Sequence, residues 1–187
     1  INTTPVGMFP NNGASPLDLS RFLRLTGVVD VVYNPLRTQL LLQAEELGIP
    51  HANGLDMLVA QAKLAGELFT GGKVSAEKLD GVCREMTAAV TNIVLVGMPG
   101  SGKSTVGRAV AQALGRRFYD ADAVIEERAG KPIPQIFAEE GEAAFRDLEH
   151  AVLTDLGRQS GVVIATGGGA VCFARNLPCL RENGRVY

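Results

Sequence analysis

The sequence predicts an α/β fold: a parallel sheet with helices on both faces. Three observations carry the prediction. Short apolar, β-branched runs at 92–96 and 162–165 alternate with segments of helical spacing. The first run passes directly into Gly97-Met98-Pro99-Gly100-Ser101-Gly102-Lys103-Ser104-Thr105, the P-loop pattern G-x-x-x-x-G-K-[ST]. Residues 104–114 follow with apolar positions at Val106, Ala109, Val110, Ala113 and Leu114, which is helical periodicity. Strand, glycine loop and helix N-terminus together make an anion site. Ligands are expected at the carboxyl ends of the strands.

Residues 28–33 read as a strand broken by Asn34-Pro35. Residues 38–47 read as a helix, with Gly48 suited to its C-terminal cap. Residues 49–53 suit a short strand. Residues 55–69 place Leu55, Leu58, Val59, Ala62, Ala65 and Leu68 on one helical face, and 70–73 end that helix. Ser75 is a cap for a further helix to about Met86, with Lys78 where a capping box would place Glu. That helix leads almost directly into strand 92–96. The pattern changes near residue 90, giving two segments, 1–89 and 90–187, joined without a long linker. After the P-loop helix come a strand at 117–120, helices at 123–129, 134–139 and 142–158, and a buried strand at 162–165 followed by Gly167-Gly168-Gly169. No internal repeat or low-complexity tract is present.

Composition narrows the function classes. The 187 residues suffice for one large domain or two small ones. Hydrophobic residues make up 46% and aromatics only 5%, without Trp, so the core must rest on Leu, Val, Ile and Ala. A net charge of −2 without a basic block gives no ground for a nucleic-acid or anionic-membrane partner. No apolar run approaches the roughly 18 residues of a membrane span, and no signal peptide opens the chain. Cys83, Cys172 and Cys179 lack metal-ligand spacing and read as reduced thiols of a cytoplasmic protein. His51 and His150 are far apart in sequence and suit surface or packing roles. Both ends read as cut, since the first residue is Ile1 and 185–187 looks like a strand beginning.

Three motifs are expected to meet the P-loop. Lys103 reaches the β- and γ-phosphates, and the Ser104 hydroxyl can sit on Mg²⁺. Asp120 and Asp122 leave the second strand of that segment. In extended backbone, i and i+2 share a face. One carboxylate could hold hydrated Mg²⁺, and the other could accept a substrate hydroxyl and act as base; a turn with two solvated acids fits the same residues. In the segment 137–149, Arg146 could grip a carboxylate with its planar fork, oriented by Glu149 at i+3. An ordinary surface ion pair fits that spacing as well. Gly167, Gly168 and Gly169 suggest close approach of backbone to a ligand, or simply a tight strand-to-helix turn.

From about residue 92 onward the chain resembles the shikimate kinases. The resemblance rests on GMPGSGKST, DAD, IFAEEGEAAFRDLE and GGGAV, in the family's order and spacing. It implies a P-loop kinase-type sheet, truncated here, that transfers the γ-phosphoryl of ATP to the 3-hydroxyl of shikimate. Gly97, Pro99, Gly100, Ser101, Gly102, Lys103, Ser104 and Thr105 would bind ATP. Lys103 and Asp122 would be catalytic, and Ser104 and Asp120 would form the magnesium environment. Asp122, Arg146, Gly167, Gly168 and Gly169 would contact shikimate, with Arg146 on its carboxylate. Glu149 would support Arg146 from behind, and Phe137 and Phe145 would line the pocket. The family's lid arginine, a later carboxylate-binding arginine and the loop over adenine would all lie beyond Tyr187.

Residues 1–88 resemble the C-terminal portion of shikimate dehydrogenase, a Rossmann-type α/β domain. NTTPVGM, SPLD, DVVYNP and GLDMLVAQ followed by ELFTG carry the likeness. It implies that Tyr33 and Gln61 face shikimate, and that Thr4, Val6, Gly54 and Met57 lie near the nicotinamide of NADP. Asp56 stands where that family often has a small residue. The family's catalytic lysine and aspartate and its dinucleotide loop would precede Ile1, so dehydrogenase activity is not expected from this chain. Two other readings remain: a small-molecule kinase acting on gluconate or a nucleoside monophosphate, and a folded fragment that binds without turning over.

Overall fold

The computed structural model describes every residue, Ile1–Tyr187. The chain forms two compact units, Ile1–Val90 and Thr91–Tyr187.

In the first unit, strand β1 (Val28–Val29) pairs in parallel with β2 (His51–Ala52), placing Val28 opposite His51. Helices α1 (Gln39–Glu46), α2 (Leu55–Thr70) and α3 (Ala76–Val90) accompany them. Thr38 caps α1 by accepting from the Leu41 N–H, and Ser75 does the same for α3 at Lys78. Leu19, Val28, Leu40, Leu41 and Ala44 form one apolar cluster. Leu36, Leu55 and Val59 form another, joined by Leu58, Leu79, Cys83 and Val90.

The strand expected over 28–33 stops after two residues, and Asp30 explains why. Its buried carboxylate accepts from Asn2 Nδ2 and the Val32 N–H, both at 3.1 Å, and from Thr38 Oγ1 at 2.6 Å. A side chain, not a neighbouring strand, takes up the backbone donor at Val32. The strand expected over 49–53 likewise shrinks to two residues.

The second unit holds β3 (Asn92–Leu95), α4 (Lys103–Leu114), β4 (Phe118–Asp120), α5 (Ala121–Ala129), α6 (Ile133–Gly157), β5 (Val163–Ala165), α7 (Asn176–Arg181) and β6 (Gly184–Val186). The four strands form one parallel sheet in the order β4-β5-β3-β6. Its core includes Val94, Ile125, Ile136, Val152, Leu153, Ile164 and Leu180. Asn92 is fully buried with its amide satisfied. Its Nδ2 donates to the Gln159 and Gly157 carbonyls, and its Oδ1 accepts from the Val162 N–H at 3.0 Å. The end of α6 is thereby tied to the start of the sheet.

The helices expected at 134–139 and 142–158 both form within α6, separated at Gly141, whose φ of 83° and ψ of 173° are open essentially only to glycine. One expectation changes in this unit. The P-loop helix forms, but its buried face is not the apolar stripe read from the sequence. Gly107 and Ala111 are buried, while Val106 and Leu114 are about half exposed. The reason is proximity: a Cβ at Gly107 would lie 2.5 Å from the Phe118 ring. Only the smallest side chains fit where α4 approaches β4.

Candidate functional site

The P-loop links β3 to α4. Gly97, Gly100 and Gly102 take φ of 144°, 75° and 84°, and Gly102 caps α4 without a side-chain hydrogen bond. The first-turn N–H groups of α4 therefore carry the partial positive charge of a helix N-terminus. Lys103 is the first residue of that helix. Its Nζ donates at 2.8 Å to each of the Gly97 and Met98 carbonyls, so the ammonium sits folded over the loop. Helix end and ammonium supply positive potential at one place, as a polyphosphate requires.

Asp120 ends β4 and caps α5. Its Oδ2 accepts from Ser104 Oγ at 2.6 Å, while its Oδ1 accepts from the Asp122 N–H at 3.2 Å. On sequence alone both acids fall on extended backbone. The structure corrects this: α5 begins at Ala121, so Asp122 lies in its first turn. Asp120 turns the chain into the helix by capping it, and the two carboxylates stay close for that reason. Burial raises the pKa of the Asp122 carboxyl, the negative charges of Asp120 and Glu149 raise it further, and Lys103 opposes them. A proton acceptor near a phosphate site gains from such tuning.

The glycine turn after β5 touches each of the other parts. A Cβ at Gly167 would lie 2.6 Å from Asp122 Oδ1. At Gly168 it would lie 2.5 Å from Pro99 Cδ, and at Gly169 it would lie 3.3 Å from Arg146 Nη1. The three glycines therefore allow one stretch of backbone to meet the P-loop, the candidate base and the candidate carboxylate anchor.

Arg146 projects from α6 after the Gly141 interruption. Its Nη1 donates to the buried Glu149 Oε2 at 3.0 Å, and its Nη2 lies 3.4 Å from Glu142 Oε1. Its guanidinium carbon sits 5.0 Å from the Phe145 ring centroid and 4.4 Å from that of Phe173. Two aromatic faces and one buried carboxylate hold a planar cation in a fixed orientation. Its Nε is buried without a partner. Phe137 lies against Phe145 at 4.5 Å between centroids but keeps an exposed edge.

Phe173 escaped the sequence reading, as did the pairing of His150 Nδ1 with Asn176 Oδ1 at 2.9 Å. Phe173 follows the glycine triplet by four residues and reaches Arg146 only through the fold, so no spacing rule marks it. Thr105 is exposed on the first turn of α4. His51 is exposed and stands 3.0 Å from the Ile49 carbonyl. No helix is long and apolar enough to cross a membrane.

In the first unit, Thr4 and Tyr33 line one hollow of about 340 Å³ together with Pro5, Met8, Val32 and Asn34. Val6, Gly54, Met57 and Gln61 are not among its lining residues. Met57 and Gln61 are exposed on α2. Gly54 has a local structural reason of its own: a Cβ there would lie 1.9 Å from the Val31 carbonyl oxygen.

Comparison with known proteins bears on the second unit. Residues 99–187 match the family model for shikimate kinase. A shikimate kinase from Burkholderia lata is 55% identical over 95 residues, covering 51% of this chain and 52% of that protein. The chain spans about half the length of the curated relatives it matches. A solved shikimate kinase from Acinetobacter baumannii, in complex with shikimate, superposes with a TM-score of 0.52 at 46% identity. That alignment covers 55% of this chain and 57% of the other. A chorismate mutase/shikimate 5-dehydrogenase fusion from Clostridium acetobutylicum aligns with 46% of this chain and 31% of its own at 35% identity, with a TM-score of only 0.44.

Proposed function

We propose that the unit Thr91–Tyr187 belongs to a cytoplasmic shikimate kinase, which transfers the γ-phosphoryl group of ATP to the 3-hydroxyl of shikimate. The observation that carries this reading is the convergence on the glycine turn: Gly167, Gly168 and Gly169 meet Asp122, Pro99 and Arg146 respectively. A phosphate loop, a carboxylate with a raised pKa and a fixed guanidinium are the three groups a carboxylated polyol acceptor needs.

In this mechanism the P-loop amides and Lys103 bind the β- and γ-phosphates, with Gly97, Pro99, Gly100, Ser101, Gly102 and Thr105 shaping the loop. Arg146 receives the shikimate carboxylate, and Phe137 and Phe145 flank the ring. Asp122 accepts the proton of the 3-hydroxyl as that oxygen bonds to the γ-phosphorus and ADP departs. Positioning and charge neutralisation supply most of the rate. Ser104 and Asp120 offer a hydroxyl and a carboxylate already 2.6 Å apart. Such a sparse, all-oxygen set suits Mg²⁺, which keeps several waters and takes its other ligands from phosphate. The ion would neutralise phosphate charge.

The first unit we read as the C-terminal part of a shikimate dehydrogenase NADP-binding domain, fused ahead of the kinase. The ordered series of motifs from Asn2 to Gly71 supports this, as does the hollow shared by Thr4 and Tyr33. Fusion would place the enzyme that makes shikimate beside the one that consumes it.

ADP formation with Mg-ATP and each of shikimate, gluconate and AMP as acceptor tests the kinase reading. Turnover on shikimate alone is the expected result; turnover on gluconate or AMP instead would replace the acceptor. ADP formation with none of them would favour a unit that binds without turning over.

A further inference from the structure

The glycine turn is anchored from its far side by a group that the mechanism above does not use. Asn176, the first residue of α7, is 1% exposed. Its Nδ2 donates to the Ala170 carbonyl at 2.9 Å, and its Oδ1 lies 2.9 Å from His150 Nδ1. Its backbone N–H donates to the Phe173 carbonyl at 3.0 Å, and its own carbonyl accepts from Cys179 Sγ at 3.0 Å. Ala170 is fully buried and closes the turn by donating its N–H to the Gly167 carbonyl at 3.2 Å.

These bonds fix the chemistry of the pair. A carbonyl can only accept, so the Ala170 bond requires the amide nitrogen of Asn176 on that side. Oδ1 must then face His150, whose Nδ1 must carry the hydrogen. Both the neutral Nδ1–H tautomer and the imidazolium supply that donor. His150 is the next residue after Glu149, which holds Arg146. One turn of α6 therefore secures the guanidinium through Glu149 and the loop 167–176 through His150. That loop carries Phe173 onto the guanidinium.

We propose that Asn176, oriented by His150, is a positioning residue for acceptor binding: it holds the glycine turn and Phe173 in register with Asp122 and Arg146. This rests on the kinase reading for the identity of the acceptor, but the clamp itself does not. Asn176→Asp keeps the acceptor toward His150 and sets an oxygen against the Ala170 carbonyl, so the strut becomes a repulsion with almost no change of volume. His150→Ala removes only the orienting donor.

The test combines amide hydrogen exchange with ligand titration of the full chain. In Asn176→Asp, exchange at the Ala170 and Cys172 amides should accelerate about tenfold or more, with the β5 amides unchanged. Shikimate affinity should fall by about tenfold while Mg-ATP affinity holds, and His150→Ala should shift both readouts in the same direction by less. Unchanged exchange at Ala170 would overturn the clamp. Equal weakening of both ligands, or faster exchange throughout β5, would reduce Asn176 to a general structural role and overturn the positioning claim. If the unsubstituted chain binds Mg-ATP but not shikimate, the acceptor reading fails and the positioning claim fails with it. The exchange result would then still decide the clamp.

Discussion

Pro99 and Gly168 are in contact across the site: a Cβ on Gly168 would lie 2.5 Å from both Cγ and Cδ of the proline ring. The phosphate loop and the glycine turn thus set each other's position. Neither can shift alone, because a proline ring has little freedom to yield.

Gly168→Ala should therefore disturb the site directly. The overlap should cost about 1–3 kcal/mol, relieved by moving the P-loop away from the turn. Affinities for Mg-ATP and the acceptor should both fall, since the displaced element serves both. Paired titrations of the two ligands, with thermal unfolding to report stability, check this.

Asp122→Asn separates stability from function. Burial and the charges of Asp120 and Glu149 raise the folded-state pKa of Asp122. Folding therefore favours its protonated form, and stability falls as pH rises from the ordinary carboxylate range through the raised value. The asparagine variant removes that cost, so it should unfold at a higher temperature than the parent at neutral pH. The advantage should fade below the ordinary carboxylate range. Phosphoryl transfer should be lost at every pH. Thermal unfolding across a pH series provides the measurement.

Arg146→Lys keeps a positive charge but loses the planar fork that Phe145 and Phe173 flank and Glu149 holds. Acceptor affinity should fall about tenfold or more, with Mg-ATP affinity spared. An equal loss for both ligands would mean that the variant disrupts folding near α6.

Gly54→Ala probes the first unit alone. The added methyl would meet the Val31 carbonyl oxygen at 1.9 Å and its carbon at 2.5 Å, both backbone atoms. Relief requires moving β1 or the start of α2, at about 3 kcal/mol or more. Exchange protection should drop at Val28 and Asp30, whose N–H groups donate to Pro50 and Ala52, and stay unchanged in β3 and β5.

What the sequence made legible follows from how local each feature is. The P-loop could be read because nine consecutive residues encode it. Arg146 and Glu149 could be paired because three residues on a helix fix their separation. The proximity of the acids at 120 and 122 is legible, but their backbone is not, because β4 gives way at once to a helix that Asp120 itself caps. The buried face of α4 is not legible, because close approach to Phe118 selects Gly107 and Ala111, a tertiary demand that overrides hydrophobic spacing. The early end of β1 depends on Asp30 meeting Asn2 and Thr38, residues 28 and 8 positions away. Phe173 and Asn176 likewise gain their roles only through contacts with α6.

The most direct test is calorimetric titration of shikimate into the nucleotide-free chain, and separately of Mg-ATP, repeated with Arg146→Ala and Asp122→Asn. The expected result is saturable shikimate binding in the parent chain, lost or strongly weakened in both variants, while each still binds Mg-ATP. A parent chain that binds Mg-ATP but gives no heat with shikimate would contradict it, as would variants that bind shikimate as tightly as the parent.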